Sequence, residues 1–339
     1  MRAHSLALLA AAALFARGTE TAEVETIELR SGLKMPANGL GTCCRKTAHG
    51  PAIVQGVTDY LALGGRLIDT AMAYGNHAEI GEGVRASGVA RGDLWITSKI
   101  SGKVAGYGAC LVAVADLLAE LQTDYVDLLL VHTPKLGEAR TIEIWGCLVE
   151  AKKRGAARAI GVSNCNAAEV DALGAASGEL PEVNQIQYHP WSSPKWHQGV
   201  AEMAAKGVVI TAYNSLGGSR FKRNDGNYPE VLVDIAAARG VTEAQLLLRW
   251  ALSRGVAVIP GSSDPDHIRE NLAIPPFVLD ARENAMIEAA HAPQSWFKED
   301  GPNKYGDAEA ETPWHMGTAA AAAGGGRRKK KTNHRREHR

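Results

Sequence analysis

The sequence predicts one α/β domain, a closed (β/α)8 TIM barrel preceded by an N-terminal β-hairpin. Two observations predict it: short apolar runs alternate with stretches of helical periodicity, and eight such pairs follow one another along the chain. Several runs are apolar on both faces, as parallel strands covered by helices must be. A closed barrel leaves no exposed strand edge. An open doubly wound sheet is the alternative, but no GxGxxG turn follows the strand after Met35.

The elements follow in order from local sequence. Residues 26–29 and 33–35 flank Arg30-Ser31-Gly32, which predicts the hairpin. Strands are predicted at 39–42, 66–69, 94–98, 126–132, 157–163, 183–187, 208–213 and 256–260. Helices are predicted at 52–63, 78–87, 109–121, 142–154, 167–176, 195–205, 229–239 with 243–253, and 265–272. An extra helix at 282–291 and a C-terminal loop follow the barrel.

The barrel is expected over residues 23–296, between two unlike termini. Residues 1–22 contain a short apolar run after Arg2 and His4, which resembles a secretory signal and fits a frayed or organelle-targeting leader equally well. We expect a cytoplasmic protein, with secretion or organellar import as the alternatives that this leader leaves open. A loop is expected at 297–318 and a low-complexity basic tail at 319–339.

Composition excludes several classes of function. Basic and acidic residues balance at 37 each, and no apolar stretch is long enough to span a bilayer. The basic tail has no interleaved aromatic residues, so we expect a solvated tail and no nucleic-acid binding. The five cysteines have no CxxC or Cys/His spacing, which predicts neither a disulfide framework nor a metal site. Cys110, Cys147 and Cys165 are expected to be small core residues.

Four polar residues lie at or just past the ends of predicted strands, where catalytic groups collect in parallel α/β proteins. They are Asp69, Tyr74, Lys99 and His132. Each alone is more simply a surface charge or a core histidine, but together they predict a site. A phenol with an ordinary pKa of about 10 needs a neighbouring cation to act as an acid at neutral pH, and Lys99 supplies one. Asp69 can hold Lys99, and His132 can donate an N–H to a carbonyl oxygen.

These residues can reduce a carbonyl without a metal, but they hold no hydride source, so an organic cofactor is required. The later strands offer its site. Ser163, Asn164 and Gln187 place hydroxyl and amide groups at two successive strand ends, where they can hold a carboxamide. Tyr213 offers a flat ring for stacking. The segments 216–218 and 259–263 follow the last two strands, where barrels frequently bind phosphate.

Four motifs, in order along the chain, resemble those of the aldo-keto reductase family. They are Ile68-Asp69-Thr70-Ala71-x-x-Tyr74-Gly75-Asn76, Gly161-Val162-Ser163-Asn164, Asn184-Gln185-x-x-Tyr188-His189-Pro190 and Ile259-Pro260-Gly261-Ser262-Ser263. The resemblance covers nearly the whole chain except its termini. It implies a (β/α)8 barrel that reduces aldehydes and ketones to alcohols with NADPH, by 4-pro-R hydride transfer, as an alcohol dehydrogenase acts in reverse.

The resemblance also implies a role for each matching residue. Tyr74 matches the proton donor, Lys99 the residue that lowers its pKa, Asp69 the partner of that lysine, and His132 the residue that orients the carbonyl. The expected cofactor contacts are Thr42, Cys43, Asp69, Ser163, Asn164, Gln187, Tyr213, Leu216, Gly217, Ser262, His267 and Asn271. Trp191 is expected to line the substrate pocket with His132, and packing at the barrel rim is its alternative.

Two departures from the family's pattern affect the choice of cofactor. Gly261 stands in place of a lysine and His267 in place of an arginine at the phosphate end, so two charge-assisted contacts of ~1.5–3 kcal/mol each are missing. We therefore expect NADPH with a weak preference, and NADH as the alternative. Cys43 and Thr133 stand where aromatic residues are common, which predicts a more polar pocket.

Three classes of function follow from these observations. The first is a monomeric carbonyl reductase that acts on a small molecule. The second is a non-catalytic subunit that senses nicotinamide nucleotides. The four intact polar residues favour the first, because a sensor has no need of a proton donor. Nucleic-acid binding through the tail is the third and the least favoured.

Overall fold

The computed structural model describes residues 24–135, 137–217 and 228–290. It begins with an antiparallel hairpin, β1 (Thr26–Glu28) and β2 (Lys34–Pro36), in which Ile27 pairs with Met35. Gly32, at φ 81°, makes the turn in a conformation that glycine adopts at little steric cost. The predicted hairpin is confirmed. The leader at 1–22, the loop at 297–318 and the tail at 319–339 lie outside the described residues.

Eight parallel strands form the predicted barrel. They are β3 (Leu40–Gly41), β4 (Leu67–Asp69), β5 (Trp95–Ile100), β6 (Val126–Val131), β7 (Ala157–Ser163), β8 (Val183–Gln187), β9 (Val209–Tyr213) and β10 (Ala257–Val258). Each strand pairs with the next one along the chain, from β3 to β10. The ring closes at Val258, whose amide donates to the Ala37 carbonyl and whose carbonyl accepts from the Gly39 amide, both at 2.8 Å. Each observed strand overlaps a predicted one.

Helices alternate with the strands in the predicted order. They are α1 (Pro51–Ala62), α2 (His77–Ser87), α3 (Tyr107–Leu121), α4 (Glu138–Lys153), α5 (Ala167–Ser177), α6 (Pro194–Ala205), α7 (Glu230–Arg239), α8 (Glu243–Leu252), α9 (Pro265–Leu272) and α10 (Ala281–Ala289). Proline opens α1, α6 and α9, and capping boxes start α5, α8 and α10. The turns Met72–Tyr74 and Arg91–Asp93 were not predicted because three residues are too few for a periodic signal. None of the described helices is long and apolar enough to cross a membrane.

The strands divide the core into an outer and an inner layer. Leu67 belongs to the inner cluster and Ile68 to the outer one, as alternate residues of a strand must. Leu29 and Met35 of the hairpin belong to the same inner cluster as Leu67, which lies at the start of β4. Apolar side chains and the hairpin therefore fill the end of the barrel at which the strands begin. The other end is left for polar groups.

The cysteines differ from expectation at one pair. Cys110 of α3 and Cys147 of α4 are fully buried, as predicted, but they form a disulfide bond, so the prediction of two unlinked core residues was wrong. Their separation of 37 residues carries no signal, because only the folded barrel makes α3 and α4 neighbours. Cys165 is buried and free, as predicted. The sulfur atoms of Cys43 and Cys44 lie in contact.

Candidate active site

The four residues predicted to form the site meet where the strands finish. Asp69 ends β4, Tyr74 ends the turn that follows it, Lys99 lies near the end of β5, and His132 directly follows β6. The Lys99 ammonium donates to Asp69 Oδ1 at 2.6 Å and to the Tyr74 hydroxyl oxygen at 3.2 Å. The rings of Tyr74 and His132 meet edge to face, with centroids 5.7 Å apart. The structure therefore brings all four side chains together.

Lys99 and Asp69 form a buried ion pair whose polar atoms are all bonded. Lys99 is 0% exposed; burial lowers its pKa and the charge of Asp69 opposes that shift. Its third proton goes to the Thr70 carbonyl at 3.0 Å. The second carboxylate oxygen of Asp69 accepts from the Gln185 side-chain amide at 2.7 Å. Because hydrogen bonds satisfy the remaining polar atoms of the pair, the free-energy cost of burying the two charges is offset.

Gln185 is a site residue that was not predicted. It lies two positions before Gln187 on β8, so the two side chains point to the same face of the strand. Gln185 bonds to Asp69, whereas Gln187 approaches His189, with their Nε2 atoms 3.1 Å apart. The carbonyl of Gln185 also accepts from the Ser163 hydroxyl at 2.8 Å. The alternation of residues along β8 is the signal that could have identified Gln185.

His132 is half-buried and uncharged at neutral pH. Burial, and then the positive charge of Lys99, lower its pKa to about 3. A neutral imidazole has one N–H donor and one acceptor nitrogen. The His132 side chain can therefore donate to a carbonyl oxygen without adding a second cation beside Lys99.

Ser163, Asn164 and Tyr213 form a connected polar cluster beside this group. The Asn164 side-chain nitrogen donates to Ser163 Oγ at 3.0 Å and to the His132 carbonyl at 3.4 Å. The Tyr213 hydroxyl donates to Asn164 Oδ1 at 2.8 Å. Asn164 has φ 63°, a left-handed conformation that asparagine tolerates better than most residues. These hydroxyl and amide groups include the donors and acceptors that a carboxamide requires, so this set of residues fits a nicotinamide cofactor.

Thr42 and Cys43 begin the segment after β3. Thr42 is fully buried and its hydroxyl donates to the Asp69 carbonyl at 2.9 Å, whereas Cys43 is half-buried. Asn76, which was not predicted, is also fully buried and donates to the carbonyls of Thr42 and Ala48, both at 3.1 Å. It therefore clamps the two ends of the segment 42–48.

The predicted contacts at the phosphate end lie around the start of α9. Ser262 Oγ accepts from the Asp264 amide at 3.0 Å. The Asp264 carboxylate accepts from the amides of Asp266 at 2.9 Å and His267 at 3.3 Å, so those helix N-terminal donors are already occupied. Asn271 is buried and lies at the last turn of the same helix.

The remaining predicted residues lie on loops at this end of the barrel. Leu216 and Gly217 are half-buried in the turn after β9, where the Gly217 amide donates to the Asn214 carbonyl at 2.8 Å. Trp191 is half-buried against the core, and its ring lies 6.0 Å from that of His189, centroid to centroid. Both expectations for Trp191, pocket wall and rim packing, agree with this position. In residues 24–135, 137–217 and 228–290 no group of three or more His, Cys, Asp or Glu residues is placed to hold a metal.

Comparison with known proteins identifies the family to which the chain is similar. Residues 51–292 match the model of the Aldo/keto reductase family. The chain is 37% identical over 273 residues to morphine 6-dehydrogenase of Pseudomonas putida, which covers 77% of this chain and 90% of that protein. It is 35% identical over 265 residues to glyoxal reductase of Bacillus subtilis, over 78% and 92% of the two chains.

A solved structure shares the fold. The crystal structure of a Bombyx mori aldo-keto reductase in complex with NADP superposes with a TM-score of 0.71 and 27% identity, over 81% of this chain and 97% of that one. The family match extends from the first helix of the barrel to its last one. The chain therefore belongs to the aldo/keto reductase family.

Proposed function

We propose that this chain reduces an aldehyde or a ketone to an alcohol, with NADPH as the reductant and Tyr74 as the proton donor. One observation carries the proposal: the buried Lys99 ammonium, held by Asp69, lies 3.2 Å from the Tyr74 hydroxyl oxygen. A cation at that distance stabilises the phenolate that remains after proton donation. The solved family member in complex with NADP supports the choice of cofactor.

The reaction divides the work between the cofactor and the side chains. When bound, NADPH supplies a hydride to the carbonyl carbon and becomes NADP⁺. The Tyr74 hydroxyl gives its proton to the carbonyl oxygen, which completes the alcohol. His132 donates its N–H to the same oxygen, orienting the substrate and stabilising the charge that develops there. Lys99 stabilises the Tyr74 phenolate until a solvent proton restores the phenol.

The cofactor has a defined set of candidate contacts. Ser163 and Asn164 would hold the carboxamide of the nicotinamide, and Tyr213 would offer its ring for stacking. Hydroxyl and amide groups suit this task because a carboxamide both donates and accepts. The other proposed contacts are Thr42, Cys43, Asp69, Gln187, Leu216, Gly217, Ser262, His267 and Asn271.

The substrate is a small carbonyl compound. Glyoxal is the first candidate because one relative carries the name glyoxal reductase. His132 and Trp191 flank the proposed pocket, and Cys43 and Thr133 make it less aromatic than is common in the family. A screen over glyoxal, sugars and keto acids with NADPH and with NADH would rank the substrates.

The proposal is tested by Tyr74→Phe, which removes the acidic hydroxyl and keeps the ring. The kcat for glyoxal should fall by about a thousandfold or more, while the Kd for NADPH stays within about twofold of the parent value. Tyr107→Phe is the matched control, since Tyr107 is 44% exposed at the start of α3. Parent-like turnover in Tyr74→Phe would contradict the assignment. A parent protein that binds NADPH but oxidises it with no carbonyl in the screen would instead be a nucleotide sensor.

A further inference from the structure

Arg45 is a half-buried cation near the phosphate end with no charged partner among the described residues. Within that part of the chain the one hydrogen bond of its guanidinium runs from Nη2 to the Gly41 carbonyl at 3.1 Å. Its Nε is buried and has no partner there. Burial also lowers the pKa of the guanidinium. A guanidinium in this state costs free energy unless an anion comes to it.

The segment 42–48 holds Arg45 against the loop that follows β10. The Asn76 amide clamps the ends of this segment, and inside it the Ala48 amide donates to the Arg45 carbonyl at 3.0 Å. The Ser263 hydroxyl donates to the Thr47 hydroxyl oxygen at 2.6 Å across the seam of the barrel. Arg45 is therefore carried by a fixed turn and not by a free loop.

Gly261 provides the space into which the Arg45 guanidinium fits. A Cβ atom at position 261 would overlap Nη1 of Arg45 and would come within 2.9 Å of the Gly41 carbonyl oxygen. Any side chain at this position would thus displace Arg45 and strain the backbone beside it. In the sequence, Gly261 predicts the loss of a cation at this position. In the structure, the Arg45 guanidinium, which comes from another loop, lies beside Gly261.

The polar groups at the start of α9 are already engaged. The amides of Asp266 and His267 bind the Asp264 carboxylate, and the Arg269 guanidinium binds the Asp266 carboxylate at 2.6 Å on an exposed surface. The Asp264 carboxylate binds these neutral amides and would repel a phosphate, and the Arg269 guanidinium is already paired with Asp266. The Arg45 guanidinium lies at the same end of the barrel, beside Gly261, and can still donate hydrogen bonds to an anion.

We propose that Arg45 binds a phosphate group of the nicotinamide dinucleotide. The inference rests on the proposed function, which names that ligand. The loops that follow the last strands of barrels frequently bind phosphate, and a guanidinium can bind phosphate through two parallel charge-assisted hydrogen bonds. The phosphate is either the 2′-phosphate, which NADPH alone carries, or the pyrophosphate, which NADPH and NADH share.

The test measures cofactor binding by the full chain without turnover. Arg45→Met should raise the Kd for NADPH about 10- to 100-fold, and Lys46→Met, the exposed neighbouring cation, should leave it within about twofold. Tryptophan fluorescence quenching gives both values. An unchanged Kd for NADH assigns Arg45 to the 2′-phosphate, and a parallel rise assigns it to the pyrophosphate. Titration with 2′,5′-ADP repeats the first comparison without the nicotinamide.

One result overturns the inference: Kd values of Arg45→Met for NADPH and NADH that both lie within about twofold of the parent. If that variant does not fold, as judged by its circular dichroism, Arg45→Gln gives the same comparison with a neutral side chain that ends in a polar amide. The two proposals fail separately. A parent chain that binds no dinucleotide refutes the proposed function, whereas a parent that binds and turns over beside an unaffected Arg45→Met refutes only the role of Arg45.

Discussion

Lys99→Met should separate the catalytic role of the buried ion pair from its structural one. Methionine keeps most of the side-chain volume and removes an ammonium that lies 3.2 Å from the Tyr74 hydroxyl oxygen. At an effective dielectric constant of about 20, opposite charges this far apart attract by about 5 kcal/mol. The Asp69 carboxylate beyond the ammonium offsets part of this attraction. We therefore expect the phenolate to lose about 3–4 kcal/mol, which lowers kcat by about 10²–10³-fold.

The same substitution should also destabilise the fold. The Asp69 carboxylate stays buried without a cation, and its remaining partner is the neutral Gln185 amide. Leaving one charge of a buried pair uncompensated lowers the free energy of unfolding by about 3–5 kcal/mol. The double variant Asp69→Asn/Lys99→Met removes both charges, and its amide can still bond to Gln185. It should recover most of the lost stability. It should not recover turnover, because no cation lies beside Tyr74.

Two assays read these effects. Urea unfolding followed by circular dichroism measures the free energy of unfolding, and the loss of NADPH absorbance measures kcat. The expected pattern is a single variant that is unstable and slow, and a double variant that is stable and slow. A folded double variant with kcat within about tenfold of the parent would refute the catalytic role of Lys99 and leave ion pairing as its only one.

Three further predictions follow from buried polar groups and from the disulfide. Gln185→Leu removes the amide that bonds to the buried Asp69 carboxylate, so it should lower the free energy of unfolding by about 1–3 kcal/mol and reduce kcat. Gln187→Leu is the control and should leave the Lys99–Asp69 pair intact. Burial lowers the pKa of His189 to about 4, so as the pH falls the unfolded chain binds a proton at His189 before the folded chain does. The free energy of unfolding should therefore be about 2 kcal/mol lower at about pH 5 than above pH 7 because of His189. His189→Gln should remove this part of the pH dependence, as measured by urea titrations. The Cys110–Cys147 bond closes a separation of 37 residues and should contribute about 4 kcal/mol; a reductant should lower the melting temperature of the parent and not of the double alanine variant.

The fold was predictable where an element is long or its ends are marked. The bounds of β7, β8 and α9 were predicted as observed, because apolar runs end at polar residues and Asp264-Pro265 marks a helix start. The last strand was predicted at 256–260 but covers only Ala257–Val258. Pro260 has no N–H to donate, so the regular ladder stops before it, although the Pro260 carbonyl still accepts from the Gly41 amide at 3.1 Å.

The site was predictable in part, for a related reason. Asp69, Tyr74, Lys99 and His132 lie at or just past the ends of strands that can be recognised locally, so the barrel fold alone predicts that they meet. The contacts of Arg45, and the pairing of Cys110 with Cys147, depend on which distant segments become neighbours. That information is held in tertiary packing and has no period or motif in the local sequence.

The seam between β3 and β10 also determines how late in synthesis the barrel can close. Thr47 and Ser263, which meet across it, are 216 residues apart, so a ribosome delivers one side long before the other. Until β10 emerges, the growing chain has two open sheet edges that can pair with a second nascent chain. A dinucleotide that binds as we propose, to residues on both sides of the seam, would not stabilise such a fragment, since ligands stabilise only the state that binds them. A chaperone would then have to protect the chain from pairing with another chain until β10 emerges. A bound cofactor could stabilise the chain only after that point.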